Sequence, residues 1–451
     1  MPNPTGTQKT LTEGPVGKTI FSMALPISIG LLATMSFNLA DSYFVSGLGP
    51  TSLAALSFSF PVVLIALAIA VGLGAGTSTC VAISSGQKNK EKIMAYATDG
   101  FLLSILISAI FGIIGWLTIE PFFLLMGASN AVLPEIEQYM RVWYSSAVFM
   151  ISPMVGLAII RALGDTKTQG KIMVFIAALN IILDPILIYG LLGIPAFGIK
   201  GAAFASLIAR LVSFVFTIYV LHSRCKLLLP ICVPRFLSSS REIFRISAPA
   251  ITANLIIPLS LYFMIKMISL YGDEAVAGYG VASKIEAFLL IAFYALSSVV
   301  GPFCGQNFGA KQYERIIIVQ KIILKSCFWL GLTLALLLAI SGHYVASIFT
   351  DNVITISVIR SYFLIVPLSY ASYGLVMIFS SAFQGIAKPI PSAVLSSLRG
   401  VFIFFPIAFI LDHLFQLQGI FVALSLSNIL CSVISYVWLK RVVVGVKHLS
   451  N

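Results

Sequence analysis

The sequence predicts an all-α polytopic membrane protein: twelve transmembrane helices in two six-helix lobes, related by a pseudo-two-fold axis along the membrane normal. Composition, the placement of charge and an internal repeat predict it. Of the 451 residues, 59% are hydrophobic and only 10% are charged, and mean hydropathy is +1.02. A soluble domain carries roughly 25% charged residues, so this chain has too few polar groups to coat a surface in water. Its length suits about a dozen helices of ~20 or more residues with short loops.

The formal net charge is +12. On a soluble chain that would point to nucleic acid. Here the basic residues gather in alternate loops, as in Lys88/Lys90/Lys92, Arg161/Lys167/Lys171, Arg235/Arg241/Arg245 and Lys311/Arg315/Lys321. The intervening loops hold acids, such as Glu120, Glu135, Glu137, Asp273, Glu274 and Asp351. This is the positive-inside pattern of a multi-pass plasma (inner) membrane protein with both termini cytoplasmic, not a nucleic-acid surface.

Apolar runs bounded by turn residues or charges place helices 1 to 12 at roughly 19–46, 53–81, 94–119, 137–162, 171–191, 198–222, 243–271, 276–303, 317–345, 357–384, 391–411 and 417–441. Helix 1 follows a polar stretch ending at Lys18. Its apolar run of about 28 residues is too long for a signal-peptide core, so it is expected to remain uncleaved. It contains Pro26 and Gly30, carries Asp41 near its outer end, and stops at Gly47-Leu48-Gly49-Pro50. Helix 2 contains GLGAG (Gly72 to Gly76) with no strand before it, which reads as close helix packing rather than a phosphate loop. Helix 3 leads to the acidic outer loop. Helix 4 has Tyr139 at its outer end and Phe149 in mid-span, helix 5 carries NIILDP, and helix 6 opens with GAAFAS and holds Arg210.

The longest polar connection, at 222–242, divides the chain, and helices 7 to 12 repeat helices 1 to 6 at an offset of about 223 residues. Pro26 matches Pro249, Gly49 matches Gly272 and Ala54 matches Ala277. GQKNKEK (86–92) matches GAKQYER (309–315), RALGDTK (161–167) aligns with QGIAKPI (384–390), and Pro185 meets Pro406 after a small shift. An even number of spans per half makes the halves parallel, a common transporter plan. The expected organisation is an N-terminal lobe at 1–222, a cytoplasmic linker at 223–242 and a C-terminal lobe at 243–451.

Asp41 is the residue that most needs explaining, because a charged side chain at the bilayer centre costs about 2.5–3.5 kcal/mol on insertion scales. It lies ~9 Å below the outer end of helix 1, and Asp184 lies ~10 Å below the outer end of helix 5, at 1.5 Å per residue. Two acids at one depth on parallel helices form a shared site for proton exchange. Two nearby carboxylates in low dielectric cannot both ionise cheaply. Asn180 shares a helix face with Asp184, and Asn38 shares one with Asp41. Ser206 offers a hydroxyl from helix 6. The coupling ion is therefore expected to be H+, with Na+ as the alternative, and no cofactor or metal is expected. The alanines around Ser206 do not make a complete sodium cage. Pro26 and Gly30 would let helix 1 bend. Phe37, Tyr139 and Phe149 are candidate cavity aromatics. In the second lobe, Met264 occupies the place matching Asp41. Lys266 on helix 7 with Lys284 and Glu286 on helix 8 form a charge network, in which Glu286 is expected to pair with Lys266.

These motifs resemble the multidrug and toxic compound extrusion (MATE) family. The resemblance rests on ALPISIG and NLADSYFVSGLG in helix 1, GAGTSTCVAISSGQKNKEK after helix 2, RALGDTKT after helix 4 and NIILDPILIYG in helix 5. It covers the whole chain. The NorM-type branch is known for coupling acids on helices 7 and 10, which are missing here. The Asp41 and NIILDP pattern looks like the DinF-type branch, where the resemblance implies coupling in the N-lobe and bending of helix 1 near Pro26. It further implies a monomeric secondary exporter working by alternating access, with amphipathic, often cationic drugs or toxic cations and membrane lipids as its partners. The rival within the superfamily is a flippase for a lipid-linked or amphipathic lipid, but only Arg210, Lys266 and Lys284 are candidate basic residues for its cavity. The six cysteines and four histidines form neither a disulfide framework nor a catalytic or metal constellation, so the chain does not read as an enzyme.

Overall fold

The computed structural model describes residues 11–129 and 132–450. Residues 1–10 of the polar N-terminal stretch lie outside them. Among the described residues there are helices and no strands. Continuous helical stretches that can cross a membrane are Val16–Ser46, Ala55–Gly86, Lys90–Leu117, Thr166–Tyr189, Ile199–Arg224, Val233–Tyr271, Tyr313–Phe349, Val353–Gly385 and Ile390–Gly445. Two further spans are bent pairs: Leu133–Ser145 with Ala147–Ala162 at 45°, and Asp273–Leu289 with Ile291–Gly309 at 48°. The last stretch counts as two passes. Its helix is interrupted at Gln416 (φ 52°, ψ −140°), and Gly419 sits so close to the Leu411 carbonyl that a Cβ would run into it. Only a chain reversal brings residues eight apart so near. The twelve spans keep the numbering given above.

Local chemistry sets the helix ends. Asn89 in GQKNKEK accepts from the Lys92 amide at 3.0 Å and starts helix 3. Asp165 in RALGDTK accepts from the Thr168 amide at 3.0 Å and starts helix 5. Each satisfies a free amide of a first turn. Large apolar side chains such as Leu25, Ile29 and Leu32 on helix 1 and Ile110, Ile113 and Ile114 on helix 3 point outward. Hydrocarbon tolerates this, while the helical ladder satisfies the backbone internally.

The repeat extends to the backbone. Gly49 and Gly272 cap their turns at φ 107°, ψ 174° and φ 99°, ψ 169°, a region that side chains rarely adopt. Lys88 and Lys311 share φ values of 56° and 58°, and Gly164 and Ala387 both have positive φ at 89° and 57°. All three pairs are 223 residues apart.

Two compact units form. One contains Leu25–Ile251; the other contains Leu11–Ala24 and Thr252–Asn451. Helix 7 begins at Val233, within the segment read as linker, and its first turns belong to the first unit. There Gly76 of helix 2 packs against Ser247 and Ile243, and Gly72 packs against Ile251, so GLGAG is a close-packing stripe. Cys80, Ile243 and Ile246 form an apolar cluster beside it. Upstream, the Thr98 hydroxyl accepts from the Leu229 amide at 2.9 Å and donates to the Leu227 carbonyl at 3.1 Å. Arg235 grips Asp99 through contacts of 3.0, 3.1 and 3.3 Å. In the second unit, Leu11 is held by Gln306 and Asn307, and Arg315 reaches the Gly14 carbonyl at 2.8 Å.

Candidate functional site

Helices 1 and 5 are pinned together at both ends. Near the start of helix 5, Gly170 faces the Pro26 carbonyl so closely that a Cβ would run into it, and a Cβ on Gly30 would meet Met173 at 3.0 Å. At the C-terminal ends of both helices, the Tyr189 hydroxyl donates to the Phe44 carbonyl at 2.6 Å. Helix 1 is continuous through Pro26. Gly170→Ala is therefore expected to destabilise the protein by about 1–3 kcal/mol, the usual range for overpacking a tight crossing. Thermal unfolding of the purified protein checks this; an unchanged midpoint would contradict so close an approach.

Between the pins lie the two acids. Asp184 is fully buried. Asn180, one turn earlier, donates to its two carboxylate oxygens at 3.0 and 3.3 Å when its amide nitrogen is turned toward them; hydrogen-bond logic fixes that orientation. Asp41 has a buried carboxylate oxygen with no hydrogen-bond partner. The two acids are close enough to act on each other's charge. Buried Tyr139 interacts electrostatically with both.

Arg210 of helix 6 is the member of this group whose role the sequence left open. It interacts with Asp41 and Tyr139, donates to the Ser146 hydroxyl at 2.8 Å and stacks 5.3 Å from the Trp143 ring centroid. Ser146 stands at the bend of helix 4. Its oxygen donates back to the Trp143 carbonyl at 2.6 Å. Arg210 thus connects the acids to the helix 4 bend. The available signal was its i+4 spacing from Ser206, which puts both on one helix face.

The other sequence candidates are dispersed. Ser206 is buried on helix 6. Asn38 is exposed, and its carbonyl accepts from the Ser42 hydroxyl. Phe37 is half-buried. Phe149 packs edge-on against Phe214 at 5.3 Å.

In the second unit the expected Glu286–Lys266 pair is absent. Lys266 and Lys284 are exposed and make no ion pair among the described residues. Glu286 instead accepts from the Tyr362 hydroxyl at 2.7 Å and interacts with Arg399 of helix 11. Helix rotation is the reason: Glu286 faces helix 10, while both lysines lie on exposed faces of their helices.

A helical membrane protein of two parallel repeats, with intramembrane acids held by neutral donors, is a membrane transporter. The MatE family profile matches residues 26–186 and 249–410, one match per repeat, and the chain belongs to the MatE family. Members of this family are cation-coupled transporters, not enzymes, and the chain is an efflux transporter. It is 34% identical over 439 residues to the FAD transporter of Shewanella oneidensis, covering 97% of both chains. It is 25% identical to the multidrug export protein MepA of Staphylococcus aureus (strain bovine RF122 / ET3-1), covering 93% of this chain and 92% of the relative. A MOP superfamily transporter from Pyrococcus furiosus, described as having a binding pocket of reverse polarity, superposes with a TM-score of 0.91 at 26% identity, covering 98% and 99% of the two chains.

Proposed function

We propose that the chain is a monomeric secondary exporter of the plasma membrane, with cytoplasmic termini, that couples efflux of a small aromatic compound to inward movement of H+ at Asp41 and Asp184. The observation that carries this reading is the buried, unpartnered oxygen of Asp41 beside the fully buried Asp184. That oxygen makes no hydrogen bond that the fold needs, and intramembrane acids commonly serve as proton relays. Asn180 suits either charge state of Asp184, donating to the carboxylate or accepting from the carboxylic acid. With one of the two acids already protonated, a proton taken up from outside would neutralise the other and weaken the pair's hold on Tyr139 and Arg210. Na+ is the alternative ion.

Flavin dinucleotide is the first substrate to test, ahead of cationic drugs, because of the FAD transporter relative at 34% identity.

Vesicles holding the purified protein test both points. A pH gradient and a Na+ gradient are imposed separately, with FAD or a fluorescent cation as cargo. FAD movement driven by the pH gradient alone is the expected result. Movement driven only by Na+ replaces the proton, preference for the fluorescent cation replaces FAD, and no response to either gradient overturns coupled export.

A further inference from the structure

The bend of helix 4 has a counterpart in helix 10, and the residues around the two breaks match at the repeat offset. Tyr139 and Ser146 correspond to Tyr362 and Ser369. Ser369 ends a 3-10 turn at Val366–Ser369 that interrupts helix 10. At both breaks the serine hydroxyl donates three residues back: Ser146 to Trp143 at 2.6 Å and Ser369 to Val366 at 2.8 Å. Each serine oxygen then accepts from a polar side chain of a corresponding helix. The donor is Arg210 of helix 6 at 2.8 Å in the first unit and Asn428 of helix 12 at 3.0 Å in the second. Asn428 accepts from Arg399 at 3.4 Å. Arg399 itself lies in a π-helical turn at Leu398–Phe402, a deformation often found at functional sites.

Both units therefore repeat a tyrosine and a break-point serine at matched positions, joined to an arginine directly in the first unit, from helix 6, and through Asn428 in the second, from helix 11. In the first this frame surrounds Asp41 and Asp184. In the second it surrounds Glu286, supplied by helix 8 instead of the counterparts of helices 1 and 5. We infer that Glu286 is a second proton-exchanging carboxyl, held by the frame of its unit, so that one transport cycle moves protons through both units. This rests on the coupled-export reading for its role in transport.

The surroundings of Glu286 are those of an exchangeable group. Facing it are Tyr279 on its own helix, Tyr294 beyond the helix 8 bend, Tyr362 and Tyr370 of helix 10, and Arg399 of helix 11. The Tyr362 hydroxyl donates at 2.7 Å, and the buried Tyr370 hydroxyl is directed at the same carboxyl from a longer range. Hydroxyls donate to a carboxylate and accept from a carboxylic acid, so they accommodate both states. Arg399 is directed to Asn428 and to the Tyr373 ring at 4.8 Å. It acts on Glu286 through space and does not lock it as an ion pair would.

Infrared difference spectroscopy of the purified protein during an acid titration reads carboxyl protonation without any transport. Glu286→Gln is expected to remove one titrating carboxyl band that persists in an Asp41→Asn/Asp184→Asn double variant. Tyr362→Phe, which keeps the carboxyl, is expected to change the pH at which that same band titrates and leave the others in place. In vesicles, Glu286→Gln is expected to reduce the number of protons moved per substrate, and Glu286→Asp to restore it in part. An infrared spectrum of Glu286→Gln identical to that of the unaltered protein would overturn the inference, even if Asp41 and Asp184 prove to be the coupling acids. If Glu286→Gln does not fold, an unmoved set of bands in Tyr362→Phe overturns it. Absence of gradient-driven transport with the Glu286 band intact would overturn coupled export, and with it the role of Glu286 in the cycle, but not proton exchange at Glu286.

Discussion

Asp41→Asn is expected to bring proton-driven efflux down to that of cells lacking the protein, with the amount of folded protein unchanged. The substitution keeps the shape of the side chain and removes its ability to bind and release a proton. Because one carboxylate oxygen of Asp41 is buried without a partner, the change breaks no hydrogen bond there. It also removes an acid whose ionised form is costly at membrane depth, by about 2.5–3.5 kcal/mol at the bilayer centre. Thermal stability should therefore change little, the lost through-space attraction to Arg210 offsetting the relief of a buried charge, while transport disappears. That combination separates a working acid from a structural one. Asp184→Asn should have the same effect on transport with a small loss of stability, about 1 kcal/mol, because one of the two contacts with Asn180 no longer suits an amide. The double variant should be no worse in transport than either single one, since the protons of a coupled pair belong to the pair. Full proton-driven efflux by Asp41→Asn would remove this site from the mechanism.

Much of this arrangement was legible in the sequence. Apolar run lengths and alternating loop charge gave the spans, and the matched glycines, prolines and loop motifs gave the repeat. Depth counted along helices 1 and 5 brought Asp41 and Asp184 together, because residues at equal height on neighbouring helices can meet. Rotation about the helix axis was not legible. It turns Asn38 outward, aims Arg210 at Ser146 and Trp143, and presents Glu286 to Tyr362 instead of Lys266. Those outcomes depend on which faces pack, and a helix apolar on all sides carries no stripe to reveal them. The first turns of helices 1 and 7 group with opposite units for a similar reason. Composition does not distinguish Ala24 from Leu25 or Ile251 from Thr252; only tertiary packing does. The Tyr139…Ser146 and Tyr362…Ser369 match was present in the sequence all along. It acquires meaning only once both serines are seen at helix breaks.

The largest expected effect on stability lies away from these sites, at Arg235. Asp99 is 1% exposed and sits in the first turns of helix 3, where its only cationic partner among the described residues is Arg235. The guanidinium meets both carboxylate oxygens and also donates to the Pro230 carbonyl at 3.0 Å. One side chain therefore ties the linker and the start of helix 7 to helix 3. Arg235→Ala leaves a buried carboxylate uncompensated, a change that typically costs 3–5 kcal/mol. Arg235 keeps 26% of its side chain exposed, so water can reach the site and the expected loss is at the low end, about 3 kcal/mol. Arg235→Lys should recover only part of it, since an ammonium cannot reproduce the planar two-point grip. Asp99→Asn should cost less than Arg235→Ala because it leaves no buried charge behind. Arg141 and Glu137 supply the contrast: they pair at 3.1 Å with 57% and 30% of their side chains exposed. Arg141→Ala should then change stability by less than about 1 kcal/mol. Thermal unfolding of the four variants in detergent orders them. Equal shifts for Arg235→Ala and Arg141→Ala would mean that the buried Asp99 contact does not hold the linker in place.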